Sequence, residues 1–174
     1  MDDIRIESSR LILRCMKPED VAPLSAVLSD PYTMRFYPAP FDLGAVEAWV
    51  ARSMARDAET GLALWSSVLK ETGEVIGDCG FIVQEIDGEK ELEIGYHTRK
   101  DLWGRGLATE AARACRDHAF ERLGRGRVIS LIRPENLPSQ RVAIKNGMHV
   151  WKDTIYRGIA HHVFMMRPGD PRPA

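Results

Sequence analysis

The segment from Glu91 to Ala112 constrains the fold more than any other part of this 174-residue chain. Apolar residues alternate with polar or small ones from Glu91 to Tyr96, which is the periodicity of a β-strand. Two glycines follow in the run Trp103-Gly104-Arg105-Gly106. Beyond them, apolar residues recur every three or four positions until Gly124. The segment therefore predicts a strand, a glycine-rich turn and a helix in succession.

A glycine-rich turn before a helix favours the binding of a phosphate or pyrophosphate. Successive backbone N–H groups point into one concavity there, and the helix N-terminus adds partial positive charge. Two common phosphate-binding patterns do not fit. No Lys-Ser or Lys-Thr follows the glycines, as a P-loop requires, and the third glycine of a dinucleotide fingerprint is missing. A plain tight turn is the alternative explanation.

The same segment resembles the acyl-CoA site of the GNAT acetyltransferases, whose signature is Gln/Arg-x-x-Gly-x-Gly/Ala. It reads Trp103-x-x-Gly106-x-Ala108 here and departs from the signature at the first position. The runs Ile94 to Tyr96 and Trp103 to Ala111 are similar to the branch that includes the RimJ and RimL ribosomal-protein N-acetyltransferases, where the segment reads like "IGY…WGKGYATEA". The start of the chain also looks like that branch.

This resemblance implies an acetyl-CoA-dependent N-acetyltransferase. The acetyl group is expected to move to a primary amine by direct attack in a ternary complex, with no covalent enzyme intermediate. A protein N-terminus is the first expected acceptor, and a small amine or an aminoglycoside is the second. The family also suggests a homodimer. A catalytically silent acyl-CoA-binding sensor is the alternative, and a nucleotide-binding module is a third, which the missing phosphate-loop lysine disfavours.

Composition narrows the partners and the compartment. A formal net charge of −1 without a long basic run argues against a nucleic-acid partner. No apolar run approaches the ~20 residues that span a bilayer, and the N-terminus lacks a signal-peptide pattern. Cys15, Cys79 and Cys115 are far apart, which suggests reduced thiols in a cytoplasm and no cysteine-based zinc site. The adjacent His161 and His162 would face opposite sides of a strand, so no metal site is expected.

Periodicity along the chain predicts the order β-α-α-β-β-β-α-β-α-β-β. The predicted strands are Ile4 to Cys15, Leu62 to Leu69, Glu74 to Glu85, Glu91 to Tyr96, Arg127 to Ile132, Met148 to Arg157 and Ile159 to Arg167; the helices begin near Lys17, Asp42, Ala108 and Asn136. The result is one α+β domain over residues 1–168, GNAT-like, with helices flanking a mostly antiparallel twisted sheet. Residues 169–174 form a proline-rich tail that is expected to be disordered.

One parallel pairing is expected, between the Glu91 strand and the Arg127 strand. The resemblance implies that these strands splay apart and leave backbone amides free for a pantetheine arm. Backbone groups of Tyr96 and Thr98 would grip that arm and polarise the reacting carbonyl. The phosphates would be held by Trp103, Gly104, Arg105, Gly106, Leu107, Ala108 and Thr109. The side chain of Arg105 either adds charge or is simply solvated.

The chemistry needs a base, because an alkylamine with a pKa of about 10 is almost wholly protonated at pH 7. Glu93 is the candidate, directly or through water. Glu91 lies on the same strand face and is expected to contact the substrate or to act as a second base. His97 is a further candidate, although a histidine beside a turn often has a structural role, and both glutamates are explained equally well as solvated strand carboxylates.

A second motif, Asn136-x-x-Ser139 followed by Lys145 to Met148, resembles the family's "N-x-x-S … K-x-G-F". It implies that Asn136 holds pantetheine and that Ser139 hydrogen-bonds to the leaving sulfur. Many GNAT enzymes use a tyrosine near this helix to protonate the leaving sulfur. No tyrosine lies between Tyr96 and Tyr156 here, and this absence favours Ser139 or solvent in that role. Both residues are also good helix caps.

The loop from Asp30 to Phe41 is aromatic and interrupted by prolines. It is either a loop packed under the core or a wall of the acceptor pocket. In the second case Phe36 and Tyr37 contact the substrate.

Overall fold

A computed structural model describes residues 4–171, which form eight strands and four helices. The strands are β1 (Ile4–Glu7), β2 (Leu11–Arg14), β3 (Leu64–Leu69), β4 (Val75–Ile86), β5 (Glu89–Thr98), β6 (Val128–Ile132), β7 (His149–Tyr156) and β8 (Ile159–Met166). The helices are α1 (Val21–Leu28), α2 (Leu43–Thr60), α3 (Leu107–Glu121) and α4 (Leu137–Lys145).

All eight strands belong to one sheet in the order β1-β2-β3-β4-β5-β6-β8-β7. Every neighbouring pair is antiparallel except β5 and β6, which are joined by the crossover through α3. The closing hairpin places β8 beside β6 and leaves β7 at the edge. The expected α+β architecture, with one parallel pairing at that position, is confirmed.

The first predicted strand was expected to run unbroken from Ile4 to Cys15, and this is wrong. The chain reverses between β1 and β2, where the Ser8 amide donates to the Leu11 carbonyl at 2.9 Å. The reversal is held from a distant helix: the Glu110 carboxylate accepts from the Ser8 hydroxyl (2.8 Å) and from the Arg10 amide (2.7 Å). A contact about a hundred positions away in sequence is invisible to local periodicity.

The helices lie on both faces of the sheet, and each face has its own apolar cluster. On one face, α3 and α4 pack on alternate strand residues that include Trp65, Phe81 and Ile94. On the other face, α1 and α2 pack on their sequence neighbours, including Leu64 and Ile82. Along β5, Leu92, Ile94 and Tyr96 therefore face α3, while Glu93, Gly95 and His97 face the side of α1 and α2.

The expected disordered tail at 169–174 extends beyond the described residues. The part that is described turns back on itself, because the Arg167 amide donates to the Asp170 carboxylate at 2.8 Å. Within residues 4–171, no helix combines the length and the apolar character needed to cross a membrane.

Candidate active site

The site begins where the two parallel strands separate. A single residue pair, Glu93 and Ile129, joins β5 to β6. Beyond it, hydrogen bonds between a side chain and a backbone group bridge the strands: the Ser130 hydroxyl donates to the Ile94 carbonyl (2.8 Å), and the Leu131 amide donates to the Glu93 carboxylate (3.2 Å). The strands β5 and β6 therefore separate beyond Glu93 and leave a gap between them.

Backbone groups of β5 point into this gap. The Phe81 amide of β4 donates to the Ala63 carbonyl at 2.8 Å, so the backbone of Phe81 is directed toward β3. Its partner Ile94 consequently directs its own backbone groups away from β4, toward β6. Because direction alternates along a strand, Tyr96 and Thr98 do the same. The Thr98 carbonyl is taken by the Trp103 indole N–H at 2.6 Å, so the Tyr96 backbone and the Thr98 amide are the groups that this geometry makes available.

The glycine-rich turn forms a cradle of backbone donors. Gly104 and Gly106 adopt left-handed conformations with φ of 80° and 78°, and no side chain caps α3. The first backbone hydrogen bond of the helix runs from the Glu110 amide to the Gly106 carbonyl at 2.9 Å. None of the six amides from 104 to 109 donates to any group in residues 4–171. Unpaired donors at a helix N-terminus form an anion-binding site.

Neighbouring residues fix the shape of this cradle. Arg10 donates to the Arg105 carbonyl (3.0 Å) and forms an ion pair with Glu110 (2.7 Å), which ties the β1–β2 turn to the start of α3. Leu107 is buried in the core, so only its amide is available to a ligand. The side chain of Arg105 is exposed, and Ala108 and Thr109 are half-buried.

Glu93 is a buried carboxylate without a cation bonded to it. It is 8% exposed, and its oxygens accept from the Gln84 amide (2.8 Å) and the Leu131 backbone. Burial raises the pKa of Glu93, although those hydrogen bonds and the charges of His97 and Arg157 act in the opposite direction. A carboxylate with a raised pKa is a stronger base than an exposed one, as general-base catalysis near neutral pH requires.

Glu91 has different surroundings, although it lies on the same strand face. It is 3% exposed, and its carboxylate forms a two-point ion pair with the Arg127 guanidinium, including an Nε–H donation at 2.8 Å. This ion pair accounts for Glu91 structurally. The substrate contact and the base role expected for it stay predictions.

Ser139 and Asn136 meet β5 across the gap. The Asn136 side chain caps α4 by accepting from the Ser139 amide at 3.2 Å, and the Tyr96 hydroxyl donates to the Ser139 carbonyl at 2.8 Å. The Ser139 hydroxyl is half-buried and has no partner within residues 4–171. The capping role of Asn136 is confirmed, and the two expected ligand contacts stay predictions.

The loop from Asp30 to Phe41 lies against the sheet beside Glu93. The Phe36 carbonyl accepts from Arg133 at 3.1 Å, and the Arg35 guanidinium lies 4.4 Å from the Phe36 ring centroid. The Tyr37 hydroxyl is 2.6 Å from Nε2 of His97. The loop thus borders the gap on the side of α1 and α2, as a wall of an acceptor pocket would.

Sequence reasoning gave no role to Asp78 or Trp49, which complete a buried group around His97. Nδ1 of His97 is 2.7 Å from Asp78, and the Trp49 indole N–H donates to the same carboxylate at 2.8 Å. Burial by itself lowers the pKa of His97, but the charge and hydrogen bond of Asp78, with the charge of Glu93, outweigh it and raise that pKa. The available signal was a lone acid in the apolar run Val75 to Phe81.

Cysteines and other histidines lie outside this arrangement. Cys79 and Cys115 are buried with their sulfurs 3.6 Å apart, and Cys15 is half-buried. His162 pairs with Asp153 at 2.5 Å on the closing hairpin. Within the described part of the chain, no three histidine, cysteine or acidic side chains are grouped as a metal would need.

The acetyltransferase (GNAT) domain family matches residues 10–149. YkkB, an uncharacterized protein of Bacillus subtilis (strain 168), is 39% identical over 149 residues, which are 85% of this chain and 87% of YkkB. The structure is similar to RimL, a ribosomal alpha-N-protein acetyltransferase, with a TM-score of 0.76 and 20% identity over 95% of this chain and 93% of RimL. It is also similar to the aminoglycoside acetyltransferase AAC(6')-Ib in complex with coenzyme A, with a TM-score of 0.75 and 20% identity over 90% and 94% of the two chains.

Proposed function

The chain belongs to the GNAT family of acetyltransferases, and we propose that it transfers the acetyl group of acetyl-CoA to a primary amine, first of all a protein N-terminal α-amine. The observation that carries this proposal is that three features follow one another along β5 and the start of α3. Glu93 is buried, β5 separates from β6 just beyond it, and six unpaired amides lie at the start of α3.

The residues present suit acetyl-CoA. Its phosphates are anions of the kind that the amides from 104 to 109 bind, and its pantetheine arm carries amide groups that match the Tyr96 and Thr98 backbone and the Asn136 side chain. Bound there, the thioester supplies an activated acetyl group. Tyr96 also holds α4 in place through the Ser139 carbonyl, so the two walls of the gap are connected.

Glu93 and Ser139 have separate roles in this proposal. Glu93 takes a proton from the nitrogen of the acceptor as the new amide bond forms, which its raised pKa favours. The Ser139 hydroxyl donates a hydrogen bond to the leaving sulfur; as the C–S bond breaks, the thiolate takes the hydroxyl proton, and Ser139 regains one from solvent. In this proposal the reaction is direct: the acceptor nitrogen attacks the thioester carbonyl in a ternary complex, and the buried Glu93 serves as the base.

The charges around Glu93 favour a peptide amine over a polycationic aminoglycoside. The charge of the Arg157 guanidinium acts on Glu93, whereas Arg133 holds the Phe36 loop and is paired with Glu135. A polycation would be repelled by Arg157 at more than one of its charges, whereas a peptide brings one ammonium group and a neutral backbone. RimL and AAC(6')-Ib represent these two acceptor classes among the structures of the same fold.

An amine panel tests the function. Thiol release from acetyl-CoA is measured with N-terminal peptides, polyamines and aminoglycosides. A separate measurement by light scattering determines whether the protein is the homodimer that the resemblance implies. Turnover with peptides above the other classes supports the proposal. Turnover with aminoglycosides alone would show that the acceptor is an aminoglycoside and not a protein N-terminus. Tight CoA binding without turnover on any amine supports the silent acyl-CoA sensor instead.

A further inference from the structure

A hydrogen-bonded chain connects the loop of Tyr37 to the interior of the sheet. It runs from the Tyr37 hydroxyl to Nε2 of His97 (2.6 Å) and from Nδ1 of His97 to Asp78 (2.7 Å), with the Trp49 indole on the second oxygen of Asp78 (2.8 Å). Exposure increases along it: the Asp78 and His97 side chains are 0% and 10% exposed, whereas Tyr37 is 38% exposed. We call Tyr37, His97 and Asp78 the tyrosine relay.

The donors in the relay have one consistent direction. An indole N–H only donates, and a buried carboxylate beside an imidazole accepts from Nδ1–H. Above the raised pKa of His97 the imidazole is neutral and its other nitrogen, Nε2, is an acceptor, so the Tyr37 hydroxyl donates to it. The lone pairs of the Tyr37 oxygen are left for a donor on the exposed side.

The relay lies beside the proposed acetyl-transfer site. His97 stands between Tyr96 and Thr98, whose backbone groups point into the gap, and it shares a strand face with Glu93. Loss of water on the side of the Tyr37 phenol that packs against His97, together with the charges of Glu93 and Asp78, raises the pKa of Tyr37, so the phenol keeps its proton at neutral pH. The groups that face His97 are Asp78 from β4, Glu93 from β5, Tyr37 from the loop and the uncharged Trp49 from α2.

Acetylation of a primary ammonium group requires a second proton acceptor besides Glu93. A primary ammonium group must lose two protons before it becomes an amide N–H, one before attack and one as the amide bond forms. Glu93 serves the second step in the proposed function and already accepts from Gln84 and Leu131. The first step needs another group.

We propose that the tyrosine relay takes the first proton, so that the ammonium form of the acceptor becomes a nucleophile inside the site. One N–H bond of the ammonium breaks as the Tyr37 oxygen takes that proton, and the hydroxyl proton of Tyr37 passes to Nε2 of His97. The electron pair of the broken bond stays on nitrogen. Tyr37 ends unchanged, and the imidazolium is stabilised by Asp78 until it releases the proton to solvent. This inference rests on the proposed function.

Steady-state kinetics across pH test the relay in Tyr37→Phe. With an N-terminal peptide, whose α-amine has a pKa of about 8, kcat/KM at pH 7 is expected to fall about 10-fold, because only about a tenth of the acceptor is neutral there. The loss should shrink as pH rises to about 9, where the acceptor arrives neutral, and KM for acetyl-CoA should not change. Tyr32→Phe is the matched control, because it removes a hydroxyl from the same loop that has no hydrogen bond within residues 4–171.

Two outcomes separate the failures. A loss in Tyr37→Phe that is equal at every pH, or no loss, overturns the relay while the acetyltransferase activity stands. Absence of turnover with any amine overturns the proposed function and the relay with it.

The tautomer of His97 gives a test that does not depend on turnover. Nitrogen NMR of the imidazole is expected to show the proton on Nδ1, and Tyr37→Phe should shift the Nε2 resonance. His162, which pairs with the exposed Asp153, is the internal control and should not respond. A neutral His97 with its proton on Nε2 overturns the relay, because His97 would then donate to Tyr37.

Discussion

The two ends of β5 show how one strand has both a structural and a chemical part. At its start, Glu89 and Glu91 bind the Arg127 guanidinium, and this ion pair fastens β5 to the chain that leads into β6. At its end, from Gly95 to Thr98, β5 pairs only with β4, and the gap to β6 is open. Glu93 lies at the transition, where the last pairing between the strands occurs.

The kind of partner distinguishes the two buried glutamates. Glu91 has a cation, which compensates the loss of water around its charge. Glu93 has two neutral donors, which compensate it less, so burial raises its pKa. The same residue type, two positions apart on one face, is thus expected to be a structural ion in one case and a base in the other.

The largest expected effect is the difference in kcat between the Glu93→Gln and Glu91→Gln variants. In Glu93→Gln, kcat at pH 7 should fall about 100-fold or more, because the base is lost while the shape of the side chain is kept. The wild-type rate should decline as pH falls through the raised pKa of Glu93, since the protonated acid is no base, and this limb should vanish in the variant. Thiol-release assays between pH 5 and 9 measure both effects. Equal losses in Glu93→Gln and Glu91→Gln would contradict the distinction.

The end of β5 that faces the gap leads into the amide cradle at the start of α3, and a substitution there tests it. Ala108 is the second residue of α3, where proline is tolerated because its amide has no partner in the helix. Ala108→Pro should weaken CoA binding by roughly 10- to 100-fold, the effect of losing one hydrogen bond to a charged group of about 1.5–3 kcal/mol. Ala108→Ser keeps the amide and is the control. Calorimetry gives the Kd, and unchanged circular dichroism shows that the helix persists; an unchanged Kd in Ala108→Pro would remove that amide from the site.

At the start of β5, where Glu91 binds Arg127, a substitution should lower the free energy of unfolding and not the rate of acetyl transfer. Arg127→Met leaves the Glu91 carboxylate buried without its cation, and the expected cost is about 1–2 kcal/mol, because Arg127 is 30% exposed and solvent moderates the loss. Thermal unfolding should show a Tm lower by about 2–8 °C. The double variant with Glu91→Gln should recover part of this loss. A fall in kcat without a change in Tm would place the ion pair in the chemistry.

Much of this site was readable from local sequence. Strand periodicity placed Glu93 and Glu91 on one face, and the glycines before α3 predicted the cradle, because left-handed turns and unpaired helix amides are properties of a few consecutive residues. The likeness of Asn136 to Ser139 to a family motif indicated the other wall of the gap. The crossover from β5 through α3 to β6 required a parallel pairing.

Other features depend on groups that only folding brings together. The β1–β2 reversal needs Glu110, the difference between Glu91 and Glu93 needs Arg127 and Gln84, and the relay needs Asp78 beside His97. Apart from the β1–β2 reversal, the sequence by itself determined the elements, their alternating faces and the donor-rich turn, because these follow from backbone geometry over short spans. The tertiary structure alone decided which carboxylate has a cation and which does not, because charge and burial depend on neighbours far along the chain.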